Sequence, residues 1–256
     1  MLKEFRLNEI KSILKRDGEV QNNTLCKMFN VSEMTIRRDL DVLSNADTSI
    51  VRTHGGAYLV STKEMREPPY TLRVQKCCEE KEKIAKKALE LIEPGQNIFL
   101  DSGTTTYYIA RNIPMDYRNM ILTNGLNIAQ EAINHRNLSV FLIGGDLRQN
   151  SLSTCGSIAE EILAKFRIDI TFLGANAIDE EGNAYVGTTS EVGLKNRVIQ
   201  QSVKSYILAD SSKFSTHNLV SYTNAVNVAG IITDAGISEE IVQKLESANI
   251  QVIIAA

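Results

Sequence analysis

From Lys81 to the C-terminus, short apolar runs alternate with amphipathic segments, and few architectures accommodate such an order. The apolar runs are "NIFLD", "NMILTN", "LSVFLIGG", "DITFLGA", "SYILAD", "VAGIITD" and "IQVIIAA". Between them lie "TTYYIARNI", "LNIAQEAIN", "IAEEILAKF", "SEVGLKNRVIQQS" and "SEEIVQKLES", with "EKIAKKALELI" ahead of the first, all at helical spacing. Strands that short and that continuously apolar are buried on both faces, which requires a largely parallel sheet with helices on either side. The expected fold class is therefore α/β and Rossmann-like over residues 81–256, with ligands gathering at the carboxyl ends of the strands.

Residues 1–60 follow a different pattern. Leu2, Phe5, Ile10, Ile13 and Leu14 give a first helix ending near Asp17-Gly18, and Val20 to Phe29 a second. A turn, "FNVS", then leads into "NVSEMTIRRDLDVL", where Val31, Ile36, Leu40 and Leu43 form one apolar face. Ser32 is placed to cap this helix and Glu33 sits in its first turn. Facing outward are Met34, Thr35, Arg37, Arg38 and Asp41, whose paired guanidinium groups suit phosphates or base edges. Helix, short helix, turn, helix is the helix-turn-helix order, and "SIVRTHGGAYLV", broken by Gly55-Gly56, reads as a hairpin or wing. Residues 61–80, "STKEMREPPYTLRVQKCCEE", are dense in charge, carry Pro68-Pro69 and lack periodicity, so they read as a linker.

The net charge of -3 argues against indiscriminate coating of nucleic acid. Any such site must be local: residues 1–60 hold nine Lys/Arg against eight Asp/Glu. Cys26, Cys77, Cys78 and Cys155 show neither metal-ligand nor disulfide-framework spacing, so no metal and no cofactor are expected. His54, His135 and His217 share no ligand spacing, and His135 and His217 are expected at the surface. No window approaches the roughly 18 apolar residues of a membrane span, and a cytoplasmic location is expected.

The stretch "FLDSGTTTYYIA" is the most informative beyond the first domain. A strand runs into Asp101, Ser102 and Gly103, and Thr104, Thr105 and Thr106 open a helix. Hydroxyls and free N–H groups at a positive helix end form an anion cradle, and four hydroxyl residues around one glycine exceed what a cap needs. Neither GxGxxG nor GxxxxGK[ST] occurs, which disfavours a dinucleotide. Further polar strand ends, "LTNG", "GGDLR", "GANAID" and "ADSSKF", would converge on the same rim. There Arg148 and Lys213 could offset a phosphate, and Asp101, Asp179, Glu191 and Asp210 could accept sugar hydroxyls. Lys195 follows Glu191 by four positions, which fits a surface ion pair as well as a ligand role.

Together, "VSEMTIRRDLDVL", "VRTHGGA", "EKEKIA", "DSGTTT", "LTNG", "GGDLR", "FLGANAID" with Glu191 and Lys195, and "ADSSKF" resemble the DeoR family of bacterial transcription regulators. The resemblance implies a winged helix-turn-helix joined to a domain similar to sugar-phosphate isomerases, acting as a repressor of a carbohydrate operon. It implies that Ser32, Thr35, Arg37 and Arg38 contact double-stranded operator DNA, with Arg52 and His54 on the wing. It further places Asp101, Gly103, Thr104 and Thr105 around the phosphate of a sugar effector, and Asn124, Gly125, Gly145, Arg148, Lys195 and Lys213 around the rest, in a homo-oligomer without membrane contact. One departure stands out: "SNADTSIVR" has no glycine where the family commonly has a glycine turn before the wing. The rival expectation is an aldose-ketose isomerase with an attached DNA-binding domain, using Asp101, Asp179 or Glu191 as proton shuttle.

Overall fold

The computed structural model describes residues 3–47, 50–53, 55–59 and 68–256. The chain divides into two compact units, Met1–Arg66 and Glu67–Ala256. His54 and residues 61–67 of the stretch read as a linker lie outside the described residues.

In the first unit α1 (Lys3–Asp17) ends at Gly18, whose φ of +81° turns the chain into β1 (Glu19–Gln21). Helix α2 (Asn22–Phe29) is therefore shorter than the helix expected from Val20. Val20 instead sits in a three-residue strand whose middle side chain alone is buried. After Asn30, in the left-handed region, α3 (Glu33–Ala46) begins with Ser32 as its cap, accepting from the Thr35 N–H. Strands β2 (Ile50–Arg52) and β3 (Gly56–Leu59) pair antiparallel, and β1 pairs with the other edge of β3, giving the order β1-β3-β2. Glycine is required at Gly56, where a Cβ would stand 1.8 Å from the Val20 carbonyl oxygen. Ile10, Leu14, Leu25, Ile36, Leu40 and Ile50 fill the core. Beside it Arg6 and Asp39, both buried, form a two-pronged ion pair at 2.5 and 3.2 Å.

The second unit opens with α4 (Tyr70–Arg73) and α5 (Cys78–Leu89), so the described end of the stretch read as a linker is helical and belongs to this unit. Next come β4 (Asn97–Leu100), α6 (Thr104–Asn112), β5 (Met120–Thr123), α7 (Leu126–Ala132) and β6 (Ser139–Leu142). A hairpin of β7 (Asp146–Arg148) and β8 (Ser153–Cys155) precedes α8 (Ser157–Leu163) and β9 (Ile168–Gly174). Then follow β10 (Ala177–Ile178), β11 (Asn183–Val186), α9 (Val192–Gln201), β12 (Ser202–Leu208) and β13 (Val220–Asn224). The chain closes with β14 (Gly230–Asp234), α10 (Glu239–Ser247) and β15 (Val252–Ala255).

Seven strands form the parallel sheet in the order β15-β14-β12-β9-β4-β5-β6. Alternate residues of each strand serve opposite cores: Phe99, Leu122, Leu173 and Ile207 on one face, and Ile98, Ile121, Phe172 and Leu208 on the other. Each such side chain stabilises the fold by about 1.5–3 kcal/mol. Strands β10, β11 and β13 form a separate antiparallel sheet. The main sheet grows one way through β4, β5 and β6 and the other way through β9, β12, β14 and β15, so its order reverses between β4 and β9. Ligands bind at that point in open α/β sheets.

Candidate functional site

The loop Asp101–Gly103 leaves β4 at the reversal point, beside Gly174 at the end of β9. Helix α6 starts at Thr104 with Gly103 extended before it. Its first intrahelical bond runs from the Tyr107 N–H to the Gly103 carbonyl, which leaves the N–H groups of Gly103, Thr104, Thr105 and Thr106 without acceptors among the described residues. The hydroxyls of Ser102, Thr104 and Thr105 likewise have no protein partner there, although all three residues are buried. Thr106 differs: its hydroxyl donates to the carbonyls of Asp101 and Gly103, at 2.5 and 2.9 Å, and so braces the loop from inside. The open donors therefore run from Ser102 to Thr106, Thr106 contributing its N–H alone, at the positive end of a helix.

Asp101 does not point at this opening. Its Oδ1 accepts from the Ser102 N–H at 2.8 Å, and its Oδ2 accepts from the Gly174 N–H at 3.0 Å and from the Lys195 ammonium. Lys195, 3% exposed, also donates to the Gly174 carbonyl at 2.9 Å and lies 4.9 Å from the Tyr222 ring centre. Burial, followed by the charges of Asp101 and Glu191, holds the Tyr222 hydroxyl well above its ordinary pKa, so it remains a neutral donor to Gly174. The surface pair of Glu191 with Lys195 does not form. Glu191 lies in a 3-10 turn ahead of α9 and takes Arg148 as its partner at 2.5 Å.

The remaining expected residues divide between crevice and scaffold. Gly125 packs against the Asp101–Gly103 loop, since a Cβ there would stand 2.9 Å from Ser102 Cα and from Asn127 Oδ1. Asn124 donates to the Thr154 carbonyl and fastens the β7–β8 hairpin. Gly145, at φ +145°, allows that hairpin to approach, with the Cys155 carbonyl 2.5 Å from where its Cβ would be. Lys213 is half-buried and makes no ion pair among the described residues. Asp179 is occupied by Asn183 and Tyr185: burial opposes its ionisation, but their hydrogen bonds outweigh that and hold its pKa below the usual value. Asp210 accepts from Ser212, as N-cap of the turn Ser211–Lys213. His217 is exposed, whereas His135, expected at the surface, is buried at 8% exposure.

In the first unit α3 presents Met34, Arg37, Arg38 and Asp41 outward. Arg37 bonds Glu33 one turn back, at 2.8 and 3.1 Å, while Arg38 is without an ion pair among the described residues. Thr35 shares a 3.0 Å hydroxyl contact with Ser32, and Arg52 of β2 pairs with Asp41. Two residues that the sequence reading passed over are buried near the crevice. Lys81 donates to the carbonyls of Arg73 and Lys76, and Tyr70 seats its hydroxyl beside Asn127.

Residues 6–63 match the DeoR-like helix-turn-helix domain, and residues 76–235 match the DeoR C terminal sensor domain. The glycerol-3-phosphate regulon repressor of Escherichia coli K12 is 33% identical over 247 residues, covering 96% of both chains. A lactose phosphotransferase system repressor of Staphylococcus epidermidis is 31% identical over 249 residues, covering 96% of this chain and 98% of its own. Among solved structures, a D-ribose-5-phosphate isomerase in complex with phospho-erythronic acid is similar at a TM-score of 0.40 and 19% identity, over 53% of each chain.

Proposed function

This chain belongs to the DeoR family of transcription regulators, and from that premise we propose that it represses a carbohydrate operon and that a phosphorylated sugar changes its affinity for the operator. The observation that carries the sensing half is the set of unbonded donors from Ser102 to Thr106 beside the buried Lys195. A phosphate seated there would accept from the free N–H groups and hydroxyls of α6, while Lys213 supplies positive field and Lys195, paired with Asp101, braces the loop beside it. The sugar would extend toward Asn124, Gly125, Arg148 and Glu191. Gly103, Gly125 and Gly145 contribute close backbone approach rather than contacts of their own.

On the DNA side, α3 enters the major groove with Thr35, Arg37 and Arg38 toward base edges and phosphates, Ser32 at its start, and Arg52 and the wing residue His54 on the backbone. Phosphate neutralisation supplies most of the affinity, and a homo-oligomer spaces two such helices about 10 base pairs apart or a multiple of that. The protein works in the cytoplasm, and no described helix is long and apolar enough to cross a membrane.

Catalysis is disfavoured because the three carboxylates expected as proton shuttles are already engaged: Asp101 by Lys195, Asp179 by Asn183 and Tyr185, and Glu191 by Arg148. The test is fluorescence anisotropy with duplex DNA from upstream of the chain's own gene, with and without glucose 6-phosphate, fructose 6-phosphate, ribose 5-phosphate and glycerol 3-phosphate. One of these phosphate esters shifts the operator affinity by about 5-fold to 150-fold, the usual range of such couplings. Arg38→Ala loses specific binding while remaining folded. Unchanged operator affinity in Arg38→Ala, or no response to any ester together with steady isomerase turnover, overturns the proposal.

A further inference from the structure

Tyr70 stands four positions beyond Arg66, where the first unit ends, so it lies close in sequence to the junction with the DNA-binding unit. Helix α4 is a single turn, and a helix of that length has no stability of its own in water. Its conformation depends on its ties, and these lead to the rim of the crevice. The Tyr70 N–H donates at 2.9 Å to the carbonyl of Asn150, two positions after Arg148. The Tyr70 ring is buried with its hydroxyl beside Asn127, two positions after Gly125. Lys81, 3% exposed, donates at 2.6 Å to the Arg73 carbonyl and at 2.5 Å to that of Lys76, closing α4 and the turn behind it. The charged and titratable groups facing this ammonium are Asp210, Lys213, Cys77 and Cys78. Cys77, held at φ +51°, lies in turn beside Ser212 and Asp210.

Three of these ties thus end within two positions of a group assigned to the ligand, Arg148, Gly125 or Lys213, while the Lys81 bonds close the segment on itself. We propose that Tyr70–Lys81 is the transmission segment of this protein, a strap anchored on the β7–β8 hairpin, the start of α7 and the Ser211–Lys213 turn, through which ligand occupancy is conveyed to the DNA-binding unit. The proposal rests on the reading of the crevice as a sugar-phosphate site. A ligand that draws Lys213 toward its phosphate or Arg148 toward its sugar moves the loops on which α4 hangs. Because α4 persists only through those loops, a small displacement there becomes a change in its population.

The experiment uses the full chain, its own upstream DNA and whichever of the four named phosphate esters most raises its melting temperature. Wild type shows at least a 5-fold effect of that ester on operator affinity. Tyr70→Ala and Lys81→Met reduce the effect below 2-fold, while ester affinity and ester-free operator affinity each stay within 3-fold of wild type. Tyr70→Phe retains the full effect, because the Tyr70 hydroxyl has no hydrogen-bond partner among the described residues. Full coupling in both Tyr70→Ala and Lys81→Met overturns the proposal, as does loss of coupling only alongside a more than 10-fold loss of ester affinity. Should both variants fail to fold, amide exchange of wild-type residues 70–81 decides: a change in protection with ester supports the strap, and an unchanged pattern overturns it. A wild type that responds to no ester is a distinct failure, that of the sensing function itself.

Discussion

Replacing Lys195 by Met leaves the Asp101 carboxylate buried at 5% exposure with two backbone donors and no cation. The methionine side chain preserves most of the lysine's volume, so the loss is electrostatic rather than a cavity. Removing one member of a buried ion pair costs about 3–5 kcal/mol. For a unit of this size that corresponds to a melting temperature lower by roughly 6 to 20 °C. Calorimetry and urea unfolding of wild type, Lys195→Met, Asp101→Asn and the double variant measure it. Asp101→Asn carries its own cost, because the Ser102 and Gly174 N–H groups both face carboxylate oxygens and an amide presents only one acceptor. The double variant is nonetheless less destabilised than the two single losses added together, by about 1–3 kcal/mol. A Lys195→Met cost below about 1 kcal/mol, or strict additivity, would refute the reading of Lys195 and Asp101 as a buried, energetically coupled pair.

Asp39→Ala strands the Arg6 guanidinium and lowers the stability of the DNA-binding unit by about 3 kcal/mol, seen in urea unfolding as an earlier loss of that unit's signal. Gly125→Ala forces its new Cβ against Ser102 Cα, so calorimetry shows weakened ester binding and a stability loss of about 1–3 kcal/mol. The buried Tyr70 hydroxyl has its pKa pushed up to about 12 by burial, against 10.0 when unfolded. The unfolded chain thus loses that proton first, and between pH 10 and pH 12 this residue costs wild type about 1.4 kcal/mol of stability per pH unit. Tyr70→Phe removes that slope, and parallel urea curves for the two proteins from pH 9 to pH 11 check it.

Much of the architecture is legible in the residues. The alternation after Lys81 announces the parallel sheet, Ser32 caps α3 as its position implies, and the "DSGTTT" stretch follows β4 at the sheet's reversal point. The strands β1, β7, β8 and β10 were not legible, because two or three residues are too few for periodicity to register. A signal for α4 was present: Pro69 occupies its N-cap, and proline at the start of a helix is as informative as proline in a linker. The pairing of Lys195 with Asp101 spans 94 positions and depends on tertiary structure. Local spacing pointed instead to Glu191, which the 3-10 turn carries away to Arg148. Asp179 and Asp210 illustrate the same lesson, for an acid at a strand end serves its own turn as readily as a ligand.

A crystal structure with the most stabilising of the four phosphate esters puts the account to its most direct trial. The phosphate is expected within hydrogen-bond distance of the Thr104 and Thr105 N–H groups and hydroxyls, with the Lys195–Asp101 pair intact beneath it. A phosphate bound elsewhere, with the start of α6 left unoccupied at saturating ester, would contradict it.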